Sequence, residues 1–412
     1  MEDQEVLPLH IVYEMFSLLN SPVPSEVFED IRVHSLADIV AAAEIAVECL
    51  NEAHTKVDDF VSVVNQMSDK TFKENFRLER QTYNALLKVM RSKEDLMELF
   101  YPREKAAVNA EEGEFTFPQS GTEIVRMGTA ILIALWYLAN PDSMRVGGIL
   151  FGVAKSTVFK CVHKFCMFLT AIKHKFITWP KSDEHLRSSE QGFFNKGFPG
   201  AVGAIDGCHI EISCPEKHRH SYTNRKCWTS MILQAVVSSD KLFIDVFVGY
   251  PGSVHDARVF RNSGLYEDTS SNPISRFPNR ELYILGDSAY PLLPWLITPY
   301  RDSGRLTQQQ KHFNYRHSAA RIAVEHAFGL LKGRWRVLQH LNVSLEFMPY
   351  VIMACCVLHN LCLMDGDLVE EWQFSEDTTP LTVNTDGYCN DTFSRTNIRF
   401  AEQKRASLME NL

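Results

Sequence analysis

Three acidic residues stand where a carboxylate is costly. Asp206 lies within the apolar run Gly203-Ala204-Ile205-Asp206-Gly207-Cys208-His209-Ile210. Asp287 closes the run Leu282-Tyr283-Ile284-Leu285-Gly286-Asp287. Glu325 is set among Ala319, Ala320, Ile322, Ala323, Val324, Ala327, Phe328, Leu330 and Leu331. A carboxylate taken out of water is unfavourable unless it is paired or holds a cation. Gathered together, three carboxylates repel until cations neutralise them, and their hard oxygens suit Mg2+ or Mn2+. Two such ions about 4 Å apart stabilise the attacking and leaving oxygens of an in-line phosphoryl displacement. For Glu325 a plainer reading stays open, an ion pair with Arg321 one helical turn earlier.

The elements that must position these acids are strands and a helix. Residues 202–212, 230–237 and 242–248 give three strands, the last two joined by a tight turn at Ser239-Asp240, and 281–288 gives a fourth. A helix starts near Asp256, and the stretch around Glu325 is apolar on nearly every side, which predicts a buried helix. Hairpin-linked strands, a crossover helix, another strand and a helix describe a mixed α/β layered core. If the first and fourth strands are neighbours and the helix crosses their ends, the three acids meet. Asp256 could be a further ligand, but it stands at a helix start where the dipole favours an acid, and it is read as capping or structural. His209 and His255 could touch a metal or phosphate, but are read as satisfied polar residues near the site. Glu211 faces the opposite side of its strand from Asp206.

Upstream, an apolar helix from Ile124 to Leu138 is broken by Asn140-Pro141-Asp142, and a short helix runs from Ser143 to about Phe151. A turn at Gly152 then leads into a third helix started by Ser or Thr, the helix-turn-helix order. Val158, Cys161, Val162 and Phe165 would face inward. Lys155, Ser156, Lys160, His163 and Lys164 would face out, where a recognition helix meets phosphates and bases. A three-helix bundle with a solvated basic face is the alternative. Arg225 and Lys226 in the polar linker, with Arg321, Lys332, Arg334 and Arg336 around Glu325, are further candidates for holding a nucleic-acid backbone.

Charge is divided unevenly. Residues 1–60 carry 13 acidic and 2 basic side chains and residues 365–412 carry 10 and 4, so a total of −9 leaves the centre at +8. Within 301–340 eight basic residues oppose two acidic ones. A basic centre between acidic ends suits a polyanion partner. The ten cysteines form no Cys-x-x-Cys pair with His partners at zinc-finger spacing, a pattern of reduced, buried thiols. No secretory signal pattern or membrane-spanning apolar run is expected.

The motifs Gly203-Ala204-Ile205-Asp206-Gly207, Asn224-Arg225-Lys226, Gly249-Tyr250-Pro251-Gly252-Ser253 with His255-Asp256-Ala257-Arg258-Val259-Phe260, Leu285-Gly286-Asp287-Ser288-Ala289-Tyr290-Pro291, and Val324-Glu325-His326-Ala327-Phe328-Gly329-Leu330-Leu331-Lys332 resemble, in order, those of the Harbinger transposase family and its nuclease-like relatives. The resemblance covers about 72–362. It implies an RNase H-like core with Asp206, Asp287 and Glu325 as a triad of divalent-metal ligands (Mg2+ or Mn2+) acting on DNA phosphodiesters in the nucleus. It further implies a Myb-like DNA-binding partner protein, which the acidic ends could dock. Cys208 and Ala289 depart from the Thr and Gly usual at those places. The expected organisation is an acidic helical region (1–70), a helix-turn-helix-like region (71–175), the nuclease core (199–340), a helix packed on it (341–365) and an acidic disordered tail (366–412). The alternative is a catalytically silent DNA- or chromatin-binding protein.

Overall fold

The computed structural model describes residues 60–92, 116–119, 122–140, 142–180, 182–367 and 395–412. The amphipathic helices expected around Leu36 to Val47 lie outside the described residues, as do most of the expected loop from Pro102 to Pro118 and the tail over 368–394. Along the chain come α1 (Phe60–Gln66), α2 (Asp69–Phe76), α3 (Arg80–Arg91), the hairpin β1 (Thr116–Gln119) and β2 (Thr122–Arg126), α4 (Met127–Ala139), α5 (Met144–Phe151), α6 (Lys155–Ala171) and α7 (Asp183–Phe194). The sheet region follows: β3 (Ala201–Glu211), α8 (Arg219–Tyr222), β4 (Ser230–Val237), β5 (Phe243–Pro251), α9 (Asp256–Arg261), α10 (Gly264–Ser271), β6 (Tyr283–Gly286) and β7 (Leu296–Ile297). Then come α11 (Gln308–Arg334), α12 (Met348–Met364) and α13 (Arg395–Glu410).

The sheet has the order β5-β4-β3-β6-β7. Its first three strands are antiparallel, with a short β4–β5 connection and a longer β3–β4 connection over 212–229 that contains α8, whereas β3, β6 and β7 run parallel. A parallel return needs a crossover, and α9 with α10 supplies it. Strand β4, Ser-Met-Ile-Leu-Gln-Ala-Val-Val, is buried at every position because helices cover both faces of the sheet. Against one face, α11 and α12 extend a core that runs without interruption through α6, α4 and α1–α3. On the other, α9 and α10 enclose Phe260, Leu265, Tyr290 and Trp295. Asn360 of α12 pairs with the start of β5 as a strand would: its amide oxygen accepts from the Phe243 N–H (2.9 Å) and its NH2 donates to the Phe243 carbonyl (2.7 Å).

Helix α11 differs from its expectation. It spans 27 residues and begins at a capping box, in which Thr307 and Gln310 satisfy each other's backbone N–H groups. Phe313, His317, Ala320, Val324, Ala327, Phe328 and Leu331 form its buried stripe. The opposite side is open to water, with Ile322 38% exposed, so the helix is not buried all round.

The helix-turn-helix order is present as α5, a left-handed turn at Gly152 (φ 64°) and α6. Val158, Cys161, Val162 and Phe165 are buried as expected. The third helix starts earlier, however, with Ala154, two residues before Ser156, at its N-cap and no Ser or Thr side chain capping it.

Two tethers fix the ends of the fold. At the end of α11, buried Arg334 donates to the Asp367 carboxylate (3.1 Å), to its carbonyl (2.6 Å) and to the Arg77 carbonyl (3.0 Å). Lys73 meets the same carboxylate at 2.9 Å, and the Glu79 N–H donates to it at 2.7 Å. The tail expected to be disordered ends in α13, where Lys404 donates to the carbonyls of Arg280, Leu282 and Pro294, and Arg405 to those of Thr298 and Pro299. Composition hides this because the docking depends on two basic side chains reaching backbone oxygens. Asp367→Ala leaves Arg334 buried and unpaired, so unfolding in urea should show a loss of about 3–5 kcal/mol; a loss under about 1 kcal/mol would contradict the tether.

Candidate active site

Strands β3 and β6 position the first two acids. Their parallel register pairs Ala204 with Leu285 and Ile205 with Gly286, so the next residues, Asp206 midway along β3 and Asp287 just past the end of β6, come side by side. The Asp206 side chain points to the face covered by α11. Arg321 reaches it from there, with Nη1 2.5 Å from Asp206 Oδ2, while Nη2 lies 2.6 Å from Glu325 Oε1. Asp206 Oδ1 accepts from the Gly207 N–H and Asp287 Oδ1 from the Ala289 N–H. Ala289, in place of the usual Gly, keeps that turn closed.

The plainer reading of Glu325, the ion pair with Arg321, is the one present, and through Arg321 the residue is joined to Asp206. The expectation of a buried carboxylate is corrected: the Glu325 side chain is 44% exposed, against 19% for Asp206 and 15% for Arg321. Glu325 lies on the flank of α11, off its buried stripe.

The electrostatics follow from this crowding. Burial, with the Asp206 charge next, pushes the Asp287 carboxyl up to about 6, against the pull of Arg321 and the N–H groups of Ala289 and Tyr290. Burial disfavours the Arg321 charge, yet Asp206, Glu325 and Asp287 outweigh it and hold the guanidinium above its ordinary value. One cation thus serves three acids. Among the described residues no group of three His, Cys, Asp or Glu side chains is drawn tightly enough to hold an ion; Arg321 stands between two of the candidates.

A fourth acid adjoins the cluster. Asp256 is the first residue of α9, an acid in its first turn next to the N-cap His255. Its carboxylate fills the space beside Gly207, where a Cβ would come within 2.5 Å of Oδ1. Burial first, then the charges of Asp287 and Asp206, push it up to about 7, with Arg225 opposing. The sequence signal was the glycine directly after Asp206, which admits a second carboxylate from the other side of β3. His209 and His255 are partnered as expected, His209 Nδ1 with Ser230 Oγ (2.9 Å) and His255 with Arg225.

The candidate backbone-binding residues divide. Lys155, Lys160, Arg225 and Lys226 are exposed, and Lys164 and Arg336 half-buried. Buried Asn224 builds the turn that presents Arg225 and Lys226, its Oδ1 accepting from the Lys226 and Trp228 N–H groups. Three assignments are corrected. Arg334 is buried against Asp367, Lys332 donates to the His209 carbonyl (2.7 Å), and Arg321 is engaged with the site's own acids.

Residues 205–360, which include all four acids, match the DDE superfamily endonuclease domain. A protein named ALP1-like from Arabidopsis thaliana is 32% identical over 327 residues, 74% of each chain. The Arabidopsis protein named Antagonist of Like Heterochromatin Protein 1 is 29% identical over 84% of each chain. HARBI1 of Homo sapiens is 28% identical over 60% of this chain and 71% of its own. The chain belongs to the Harbinger transposase-derived family of DDE endonucleases. No solved structure matches it.

In this Harbinger-type chain, Arg321→Met should leave the acids without their shared cation. Thermal or urea unfolding in EDTA is expected to show a loss of about 2 kcal/mol, below the usual cost of breaking a buried pair because Glu325 stays hydrated. Unchanged stability would remove Arg321 from its role.

Proposed function

We propose that this chain is a divalent-metal-dependent DNA nuclease with an RNase H-like core, whose metal ligands are Asp206, Asp287 and Glu325. The supporting observation is the β3–β6 register, which sets Asp206 beside Asp287, together with Arg321, which ties Glu325 to the same point. The donors suit Mg2+ or Mn2+, being hard oxygens, and burial followed by the Asp206 charge already raises Asp287. When bound, a pair of such ions activates a nucleophile and stabilises the leaving oxygen; here the nucleophile is water or a DNA 3′-hydroxyl.

The chain's residues divide the remaining work. Asp206 lies between Asp287 and the Arg321–Glu325 pair, which makes it the ligand common to both halves of the site. Glu325 meets Arg321 at a water-accessible surface, where exchanging an ion-pair partner costs little. Arg321 fixes positive charge beside the acids. Arg225, Lys226, Lys155, Lys160, Lys164 and Arg336 supply backbone contacts around it. The place of work is the nucleus, and a Myb-like partner supplies further DNA recognition by docking on the acidic termini.

One observation favours the second reading, a silent DNA- or chromatin-binding protein: Arg321 already neutralises two of the three ligands. One relative's name speaks of opposing a heterochromatin protein and not of cleavage. Plasmid nicking in Mn2+ separates the two. Wild type is expected to nick, with Asp206→Asn, Asp287→Asn and Glu325→Gln each falling more than about 100-fold, beyond the effect of supporting residues. A wild-type chain inert on supercoiled and relaxed DNA alike would establish the silent reading.

A further inference from the structure

We infer that the outward face of α6 and the start of α12 form a stacking platform for unpaired DNA bases, a site apart from the carboxylates that holds a single strand by ring contact and by charge. The inference rests on the reading of DNA as the substrate and extends it to a surface that works without metal.

The platform is a run of rings shared by two helices. Phe347, the N-cap residue of α12, is its buried centre. His163 of α6 stacks on the Phe347 ring, with centroids 4.6 Å and planes 22° apart. Tyr350 lies nearly parallel to that ring at 6.3 Å, and Phe159 packs against both His163 (5.6 Å) and Phe347 (6.5 Å). The outer rings face water, Phe159 being 47% exposed and Tyr350 38%. Exposed rings gathered in one place mark a binding surface.

Charge says what the rings meet. Residues 143–182 hold seven Lys or Arg side chains and no Asp or Glu. On α6, Lys155, Phe159 and His163 follow one another at single-turn spacing, with Lys160 and Lys164 on the neighbouring row. The acid nearest in sequence to the α12 rings is Glu346, against that basic excess. Stacking rings beside cations are what a single strand needs, because every base has a π face and every linkage a negative charge. An apolar peptide would use the rings but leave the lysines without a counterpart.

Duplex reading by α6 fits this surface less well. A recognition helix must stand clear to enter a major groove, whereas α12 packs along α6 and Phe347 covers His163. The rings also lie toward the end of the sheet at which β5 and β6 finish and β4 begins. Pro349 sits beside Gly249 near the end of β5, Arg225 and Lys226 precede β4, and Asp287 follows β6. A strand leaving the carboxylates therefore has a basic path over the ends of β4 and β5 to the platform.

The test is fluorescence anisotropy of a labelled oligo-dT with the full chain in EDTA, where binding is read without cleavage. Wild type is expected to bind it, and unlabelled single strand to compete better than duplex of the same length. Phe159→Ala and Tyr350→Ala should each weaken binding about 5- to 100-fold, while Tyr350→Phe, which keeps the ring, should bind as wild type does. Should an alanine variant fail to fold, photocrosslinking of wild type to an iodouracil-substituted strand gives the answer, with the adduct expected on Phe159, His163 or Tyr350. Alanine variants that bind like wild type, an adduct confined to other residues, tighter binding of duplex than of single strand, or no binding of oligo-dT by wild type each overturn the inference. A wild-type chain that binds oligo-dT through these rings yet never nicks plasmid DNA keeps this inference and loses the nuclease reading. One that nicks in Mn2+ but ignores oligo-dT does the reverse.

Discussion

A single guanidinium holds the centre of this molecule together. Arg321 contacts Asp206 on β3 and Glu325 on its own helix, and its charge also reaches Asp287 on β6. Without it, carboxylates from three separate elements would meet with nothing between them, and repulsion would favour parting the strand ends from α11. The arginine therefore allows an acidic site to be prepared in the absence of ions. It also competes with any ion for two of the same ligands.

The rest of the fold serves that contact by fixing where α11 lies. The helix is anchored at its start by the Thr307–Gln310 capping box and at its end by Arg334 on Asp367, and its middle is pressed to β3 by Ala320, Val324 and Ala327. Asp367 in turn holds Lys73 and the Glu79 N–H, so α2 and α3 are joined to the same post. Helical region and sheet share one apolar core, in which α6 packs on α12 and α12 on β5 and α11.

Much of this arrangement was legible in the sequence because strand patterns are local. The runs around Ile205, Leu233 and Leu285 declare themselves by apolar content, and an aspartate at the end of such a run marks a strand terminus facing a cleft. Hairpin connections leave one side of β3 free, so a β3–β6 neighbourhood was allowed by the sequence, and the structure shows it. Glu325 was harder. Alanine-rich stretches look apolar on every side, and only packing shows that Ile322 and Glu325 fall on the open flank. Thr307-x-x-Gln310 carried a capping-box signal that marks the true start of α11. Asp256 does start a helix, as its sequence neighbours suggest, but its place beside Gly207 depends on how α9 packs on β3, which is set in space and not along the chain. The fate of Arg334 and of α13 was set by single distant carboxylate and carbonyl partners, which no window of sequence contains.

The most direct measurement is a crystal structure of the full chain grown with Mn2+, with the metal located by anomalous scattering. The expected result is Mn2+ bonded to oxygens of Asp206 and Asp287, with Glu325 turned from Arg321 toward the metal. Anomalous maps empty at these carboxylates, with Arg321 still joining Asp206 to Glu325, would contradict the account.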